Sequence, residues 1–205
     1  QCALISGGEV LQTMISKLKT GKPLEWEDHP GGSPEIVGIN DEGFSSDEKK
    51  HFMDLPSNVY PIFANALRSE KSQSSKEHLK ECSELFSKFS KVAEKNSNSW
   101  FPKYRSPEEI EKVTDSNRLV GFPYTKYLNS MIRVNMASSM IIMSEKLSKE
   151  LNISQKKKIY LHGSCILNDI WNVSKRPKLI ESPAIKKCGE EVLSQAQVSM
   201  DSISY

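Results

Sequence analysis

The sequence predicts an α/β fold that carries a largely helical insertion. Three observations lead there. Apolar runs of strand length alternate with segments of helical period; one run, Asn135 to Ser144, is apolar without alternation; and a polar stretch followed by amphipathic helices interrupts the order. With 205 residues, 37% of them hydrophobic, the chain can bury a sizeable core without staples. Lys+Arg 28 against Asp+Glu 26 leaves a formal charge of +2, which supplies no basic field for a nucleic-acid backbone. No apolar run approaches the roughly 20 residues of a membrane-spanning helix, and no charged-then-apolar leader opens the sequence, so a soluble, cytoplasmic protein is expected. Cys2, Cys82, Cys165 and Cys188 are scattered without a CxxC pair and read as thiols in a reducing compartment.

The elements follow in order. Cys2-Ala3-Leu4-Ile5-Ser6 reads as a buried strand that ends at a Gly7-Gly8 turn. From Glu9 to Lys19, Val10, Leu11, Met14, Ile15 and Leu18 share one helical face, completing half of a βαβ unit. Thr20 to Asn58 is rich in Gly, Pro, Asp and Glu, with turn clusters at Gly31-Gly32-Ser33-Pro34 and Asp41-Glu42-Gly43, and reads as a long irregular insertion. Val59, Ile62, Phe63, Ala66 and Leu67 then form an apolar stripe at helical spacing. Ser74 and Glu77 have the spacing of a capping box, opening a helix expected to bury Leu79, Cys82, Leu85, Phe86, Phe89 and Val92.

Ser106-Pro107-Glu108-Glu109 has the N-cap, early proline and acidic first turn of a short helix ending near Thr114. Asn135 to Ser144 reads as a strand covered on both faces, followed by a helix from Glu145 to Leu151, with a further strand at Ile159 to His162. Ser182-Pro183 opens a last helix with Ile185, Cys188, Val192, Leu193 and Ala196 inward, before a closing strand from Ser199 to Tyr205. A sequence that opens at Gln1 within one strand and stops within another reads as an internal stretch of a longer protein.

Each chemical candidate has a plain structural counterpart. His162-Gly163-Ser164-Cys165 offers a thiol or hydroxyl beside an imidazole, as a small hydrolase would need. No glycine follows two places after Ser164 or Cys165, so the nucleophile-elbow pattern is not met, and a tight turn with a small thiol fits the same residues. His78 and Cys82, four apart on a helix, could present two metal ligands, but two more are missing and Cys82 lies in the apolar stripe. His29 and His51 have no partner in the sequence. Lys156-Lys157-Lys158 could meet a phosphate or form a solvated turn. Trp100-Phe101-Pro102 and Phe122-Pro123-Tyr124 suit either a cleft wall or loop packing. Gly7-Gly8 is too short for a phosphate loop.

Several stretches resemble thiolases. Ala3-Leu4-Ile5-Ser6-Gly7-Gly8-Glu9 is similar to the thiolase strand after the nucleophile helix, and Ala137 to Glu145 to the strand after the substrate-binding loop. Ser182-Pro183-Ala184-Ile185-Lys186-Lys187-Cys188-Gly189 resembles the later Pro-Ala-Ile-Arg/Lys helix, and Asp201-Ser202-Ile203 the approach to the Asn-Glu-Ala-Phe loop. Tyr60-Pro61-Ile62-Phe63-Ala64-Asn65-Ala66-Leu67-Arg68, Glu77-His78, Phe89-Ser90-Lys91-Val92-Ala93, Trp100, Asn117-Arg118 and Gly121-Phe122-Pro123-Tyr124-Thr125-Lys126 narrow the resemblance. They point to the acetyl-CoA acetyltransferase branch related to sterol-carrier-protein thiolases.

The resemblance implies a layered, thiolase-like fold, here incomplete. Residues 1–19 would end the first half, 20–134 would form the insertion covering coenzyme A, and 135–205 would complete the first half and begin the second. It implies an acyl-CoA C-acyltransferase of lipid metabolism that takes coenzyme A thioesters as substrate, needs no separate cofactor or metal, and assembles as a homodimer or tetramer. In that family a cysteine thiolate accepts the acyl group and backbone amides hold the oxyanion. Those catalytic positions would fall before Gln1 and after Tyr205, and none of the four cysteines matches them. The family's Asn-Ala-Ser-Gly loop against the pantetheine corresponds to Asn129-Ser130-Met131-Ile132, without its glycine, and the following Asn-Asp-Gly-Ala-Ala is here Val134-Asn135-Met136-Ala137-Ser138. Asn129 and Ser130 are therefore the expected coenzyme A contacts, with Phe122, Tyr124 and Lys126 lining the cleft. The alternative is a non-catalytic acyl-CoA-binding relative.

Overall fold

The computed structural model describes residues 2–26, 31–33, 35–38 and 42–204; His29, Pro34, Asp41 and Tyr205, which figure in the sequence reading, lie outside them. In chain order the elements are β1 (Cys2–Val10), α1 (Leu11–Lys19), α2 (Ser46–Lys50), α3 (Pro56–Glu70), α4 (Ser75–Ala93), α5 (Pro107–Glu111), β2 (Leu119–Gly121), β3 (Tyr124–Thr125), β4 (Asn135–Met143), α6 (Glu145–Glu150) and α7 (Pro183–Ala196). Short 3-10 turns occupy Lys126–Leu128, Gln155–Lys157, Val173–Lys175 and Met200–Ser202. The chain divides into two compact units, Gln1–Pro34 with Met131–His162, and Glu35–Ser130 with Gly163–Tyr205.

In the first unit, β1 and β4 pair antiparallel along their whole length, Cys2 opposite Met143 and Val10 opposite Asn135. Gly7-Gly8 therefore does not make the turn expected from the sequence. The ladder runs straight through it, because a glycine there lets the strands approach closely: a Cβ on Gly8 would lie 3.1 Å from the Met136 carbonyl oxygen. The helix α1 follows directly. Its first turn is tied to β4 by Asn135, whose Oδ1 accepts from the Thr13 amide (3.1 Å) and whose Nδ2 donates to the Thr13 hydroxyl (2.8 Å). The expected double coverage of the 135–144 strand is corrected: β4 is largely exposed, since only β1 pairs with it among the described residues and nothing described stacks on both its faces. Ile159 to His162 forms no strand; it is a segment without regular structure, with Ile159 97% exposed. Ser144 caps α6 through the Leu147 amide (3.2 Å).

The second unit is mainly helical. Ser45 and Glu48 close a reciprocal capping box that starts α2 inside the stretch expected to be irregular. Glu48 is 4% exposed and does more than cap, because its Oε1 accepts from the Ser174 amide (2.8 Å) and its Oε2 from Asn172 Nδ2 (3.1 Å) and the Ser45 amide (2.6 Å). Those bonds, led by the Ser174 and Ser45 amides, hold its carboxyl down from 4.5 to about 2. In α3, Pro61 has no amide to give the Ser57 carbonyl, and β2 packs there. A Cβ on Gly121 would fall 2.6 Å from Ser57 O and 3.1 Å from Pro61 Cγ, so only glycine fits.

The buried face of α4 also differs from expectation. The capping box at Ser74 and Glu77 forms, but the side turned inward carries His78, Ser83 and Ser87, while Leu85, Phe86, Phe89 and Val92 are exposed. Leu79 and Cys82 stay partly inward as expected, but toward the end of the helix the buried positions move on by one residue, to Ser83 and Ser87, about 100° around the helix. Serine hydroxyls explain the choice. Ser87 Oγ donates to the Arg105 carbonyl (2.8 Å) and Ser90 Oγ accepts from the Arg105 amide (3.0 Å), binding the segment before α5 closely to the helix. On α7, Cys188, Val192, Leu193 and Ala196 turn partly inward as expected, whereas Ile185 is exposed. The closing strand is replaced by a 3-10 turn, in which the Ser202 amide bonds Ser199 O (3.1 Å) and Ile203 bonds Met200 O (3.2 Å).

Candidate functional site

The expected coenzyme A contacts fall on one continuous strip of the second unit: β2, the turn at Phe122-Pro123, β3, the 3-10 turn, then Asn129 and Ser130. What positions the strip is a residue that the sequence reading used only as part of a resemblance. Asn117, 1% exposed, donates from Nδ2 to the carbonyls of Ile110 (2.9 Å), Lys112 (2.9 Å) and Glu109 (3.3 Å), and accepts the Tyr127 amide on Oδ1 (2.9 Å). It satisfies the carbonyls at the end of α5 and fixes the 3-10 turn in one step. Thr125, fully buried, adds a bond from Oγ1 to Ile110 O (2.7 Å), and the Lys126 amide donates to Arg118 O (2.9 Å). The Arg105 guanidinium, ion-paired with Glu109, stacks 3.8 Å over the Tyr127 ring.

On this base, Asn129 donates from Nδ2 to Thr125 O (2.8 Å), which aims its carboxamide. Among the described residues, its Oδ1, the Ser130 hydroxyl and the Lys126 ammonium make no hydrogen bond or ion pair within the protein. Within five residues of chain the strip thus offers an acceptor, a hydroxyl and a cation. Lys126, Ser130 and Phe122 are exposed, and the Phe122 carbonyl is held by Asn65 Nδ2 (3.2 Å). Tyr124 turns the other way. It is half-buried, 6.4 Å from the His78 ring, with its phenol pushed up by burial and by Cys82. Phe122, Lys126 and Ser130 are thus exposed along the strip and Asn129 is half-buried, while Tyr124 is set toward the packed side.

That packed side joins His78, Cys82 and Tyr124. Cys82 Sγ lies 3.7 Å from His78 Nε2, and His78 Nδ1 is buried without a partner. Burial pushes the imidazole down and the Cys82 thiol up, each the direction that keeps the group neutral. A neutral imidazole beside a protonated thiol is a packed cluster and not an activated nucleophile. Among the described residues no group of three or more His, Cys, Asp and Glu could hold a metal ion. The Cys165 thiol is likewise pushed up, first by the neighbouring Cys188 thiol and then by burial. Lys156 and Lys157 sit in a 3-10 turn, while Lys158 pairs with Glu145 (3.6 Å). Trp100 and Phe101 are about half exposed, and His51 ends α2 in an exposed position. Two hollows have none of the strip residues in their lining, one of about 150 Å³ including Asp169, Arg176 and Glu181, the other of about 200 Å³ including Glu9, Met14 and Trp26. Both are smaller than the several hundred Å³ usual for a drug-sized ligand.

No protein-family model matches the chain, and no curated protein matches it. A solved structure does. The crystal structure of a monomeric SCP2-thiolase-like protein type 1 from Mycobacterium smegmatis is similar with a TM-score of 0.64 and 31% sequence identity, over 73% of this chain and 33% of that one. The chain thus spans about a third of that protein's length. Among the described residues no helix is long and apolar enough to cross a membrane. The helices and small antiparallel sheets described above, together with this likeness, identify the chain as having an α/β fold of the SCP2-thiolase-like kind.

Proposed function

We propose that the chain supplies the coenzyme-A-facing part of a thiolase-like acyl-CoA C-acyltransferase of lipid metabolism and does not itself supply the nucleophile. In this reading residues 1–19 and 135–205 belong to the two thiolase halves, and 20–134 forms the segment that covers coenzyme A. The observation that carries it is a set of unpartnered polar groups within five residues: Asn129 is oriented by Thr125 but keeps Oδ1 free among the described residues, and Ser130 and Lys126 are exposed. An amide-rich pantetheine arm offers donors to Asn129 and acceptors to Ser130, and a phosphate suits Lys126. Phe122 supplies apolar surface beside them, and Tyr124, packed toward His78, supports the strip from behind. The likeness to an SCP2-thiolase-like protein supports the same reading.

Cys82 and Cys165, both held protonated, favour a binding role for this chain over an acyl-accepting one. The same observation supports a second reading, an acyl-CoA-binding relative without catalysis. A cytoplasmic homodimer or tetramer accompanies either. The test is calorimetric titration of coenzyme A and acetyl-CoA into the full-length protein. Asn129→Ala and Ser130→Ala should each weaken binding by about 1 kcal/mol, or roughly fivefold, for a lost hydrogen bond. Unchanged affinity in both variants refutes the site. Turnover of acetyl-CoA to acetoacetyl-CoA, or its absence with binding intact, separates the two readings.

A further inference from the structure

The helix α4 carries a second apolar face, on the side away from its packing. The packed side of its C-terminal half is marked by Ser83 and Ser87, both buried. Leu85, Phe89 and Val92, at i, i+4 and i+7, fall on one stripe about 160° around the helix from those serines. Phe89 is 58% and Val92 71% exposed, and Phe86 meets Phe89 edge-on with ring centroids 5.9 Å apart, which widens the stripe. A surface helix needs one apolar face to hold it to its own domain. A second, contiguous and exposed, marks a place where something else docks.

The charges beside the stripe have one sign. Lys88 and Lys91 stand about 60° and 120° around the helix from Leu85, on the same flank. Lys95 follows in the turn that ends the helix, its amide bonded to Val92 O (3.1 Å). All three are exposed, and none makes an ion pair or a side-chain hydrogen bond among the described residues. The neighbouring acids are already engaged: Glu84 pairs with Lys80 (3.8 Å), and Glu94 accepts the Tyr104 amide on Oε1 (3.2 Å). That last bond also holds the end of the following loop to the end of α4. The loop leaves Trp100 and Phe101 about half exposed and carries Lys103, which pairs with Glu109 (3.8 Å).

We propose that the outward face of α4 docks on an anionic membrane surface, with Leu85, Phe86, Phe89 and Val92 at the boundary between headgroups and acyl chains and Lys88, Lys91 and Lys95 on acidic headgroups. Charge complementarity selects the occupant. Three unpaired ammoniums beside an apolar stripe match a surface that is negative at its rim and apolar beneath, which an anionic leaflet supplies. A single helix face is also a convex ridge, and a fluid leaflet conforms to it without a matching groove. A second copy fits less well, because antiparallel pairing through this stripe sets the two lysine flanks on the same side, like charge against like. The proposal stands apart from the coenzyme A reading, since none of these residues belongs to the 117–130 strip.

The test is co-sedimentation of the full-length protein with vesicles of phosphatidylcholine alone and of phosphatidylcholine with phosphatidylserine, at low and high salt. The wild-type protein should bind the serine-lipid vesicles roughly tenfold or more tightly than the neutral ones, and high salt should remove the difference. Replacing Lys88, Lys91 and Lys95 together by glutamine should weaken that binding roughly a hundredfold, at about fivefold for each lysine. Phe89→Ser combined with Val92→Ser should weaken it roughly tenfold or more, while Ile166→Ser, an exposed apolar residue outside α4, should leave it unchanged. All the altered side chains are exposed, so far-ultraviolet circular dichroism should match wild type; the lipid and salt comparison needs no variant. Absence of binding to the anionic vesicles, equal binding to both kinds, or α4 variants that sediment like wild type overturn the proposal. So does a larger species in sedimentation velocity without lipid that Phe89→Ser dissociates, which gives the face to a second copy. Retention of polyglutamate without vesicle binding gives it to an acidic protein and overturns the proposal as well.

Discussion

Glutamine in place of Glu48 is the most informative single change in the second unit. The carboxylate is buried and accepts from the amides of Ser45 and Ser174 and from Asn172, joining α2 to the 172–175 segment. Glutamine keeps the volume, removes the charge, and turns one acceptor toward those donors into a donor. Moving a carboxyl from its ordinary 4.5 to about 2 is worth about 3 kcal/mol at neutral pH, at about 1.4 kcal/mol per tenfold change in proton affinity. The sign follows from which state binds the proton first. Above 4.5 both states carry the carboxylate and the whole contribution is present; as pH falls below 4.5 the unfolded chain takes up a proton that the native chain refuses, and the contribution fades until it is gone below about 2. Urea unfolding of wild type and Glu48→Gln at a series of pH values measures the gap directly. It should be about 3 kcal/mol at pH 7 and shrink steadily toward pH 3. A gap that does not change with pH, or one below about 1 kcal/mol at neutral pH, would refute the reasoning.

Other variants probe the remaining contacts. Gly121→Ala drives a Cβ to 2.6 Å from the Ser57 carbonyl oxygen and should cost about 1–3 kcal/mol in urea unfolding, whereas the same change at Gly7, where nothing stands within 4 Å, should cost less than half as much. Asn117→Ala strands carbonyls at the end of α5 and the Tyr127 amide, and should destabilise by about 3 kcal/mol while loosening the strip, seen as faster amide exchange from Tyr127 to Asn129. Val92→Ala, on the exposed side of α4, should change stability by less than about 0.5 kcal/mol, while Ser87→Val, which removes the hydroxyl bonded to Arg105 O, should cost about 1–2 kcal/mol. The opposite order would restore the inward face expected from the apolar pattern.

The strip that carries the candidate site was legible in the sequence as a stretch, but what holds it in place was not. Asn129 and Ser130 came from resemblance to a loop, and Phe122 and Lys126 from the run before it; all four lie on a single strip of the chain, with Phe122, Lys126 and Ser130 exposed. Asn117 was visible only as a matching letter. Its bonds reach back to Glu109, Ile110 and Lys112 and forward to Tyr127, partners with no fixed sequence spacing. Its burial, the usual sign of such a polar hub, exists only after folding. The capping box of α2 was written in Ser45-Ser46-Asp47-Glu48, and the Gly- and Pro-rich neighbourhood concealed it.

By itself the sequence determined what short-range chemistry decides. Ser74 with Glu77, Ser106 before Pro107, Ser144 and Ser182 start their helices where expected, since each cap bonds an amide within three residues and needs no other part of the chain. Tertiary structure decided which surface each element presents and what it pairs with. The α4 stripe turned by one residue because hydroxyls of Ser87 and Ser90 found the Arg105 backbone, an interaction that no apolar periodicity encodes. Gly7-Gly8 stayed in a strand because β4, more than a hundred residues later, offered a complete ladder. The 199–203 segment, with no described strand beside it, closed its hydrogen bonds locally as a 3-10 turn. A backbone donor must be satisfied either nearby or far away, and only the folded chain reveals which partner is within reach.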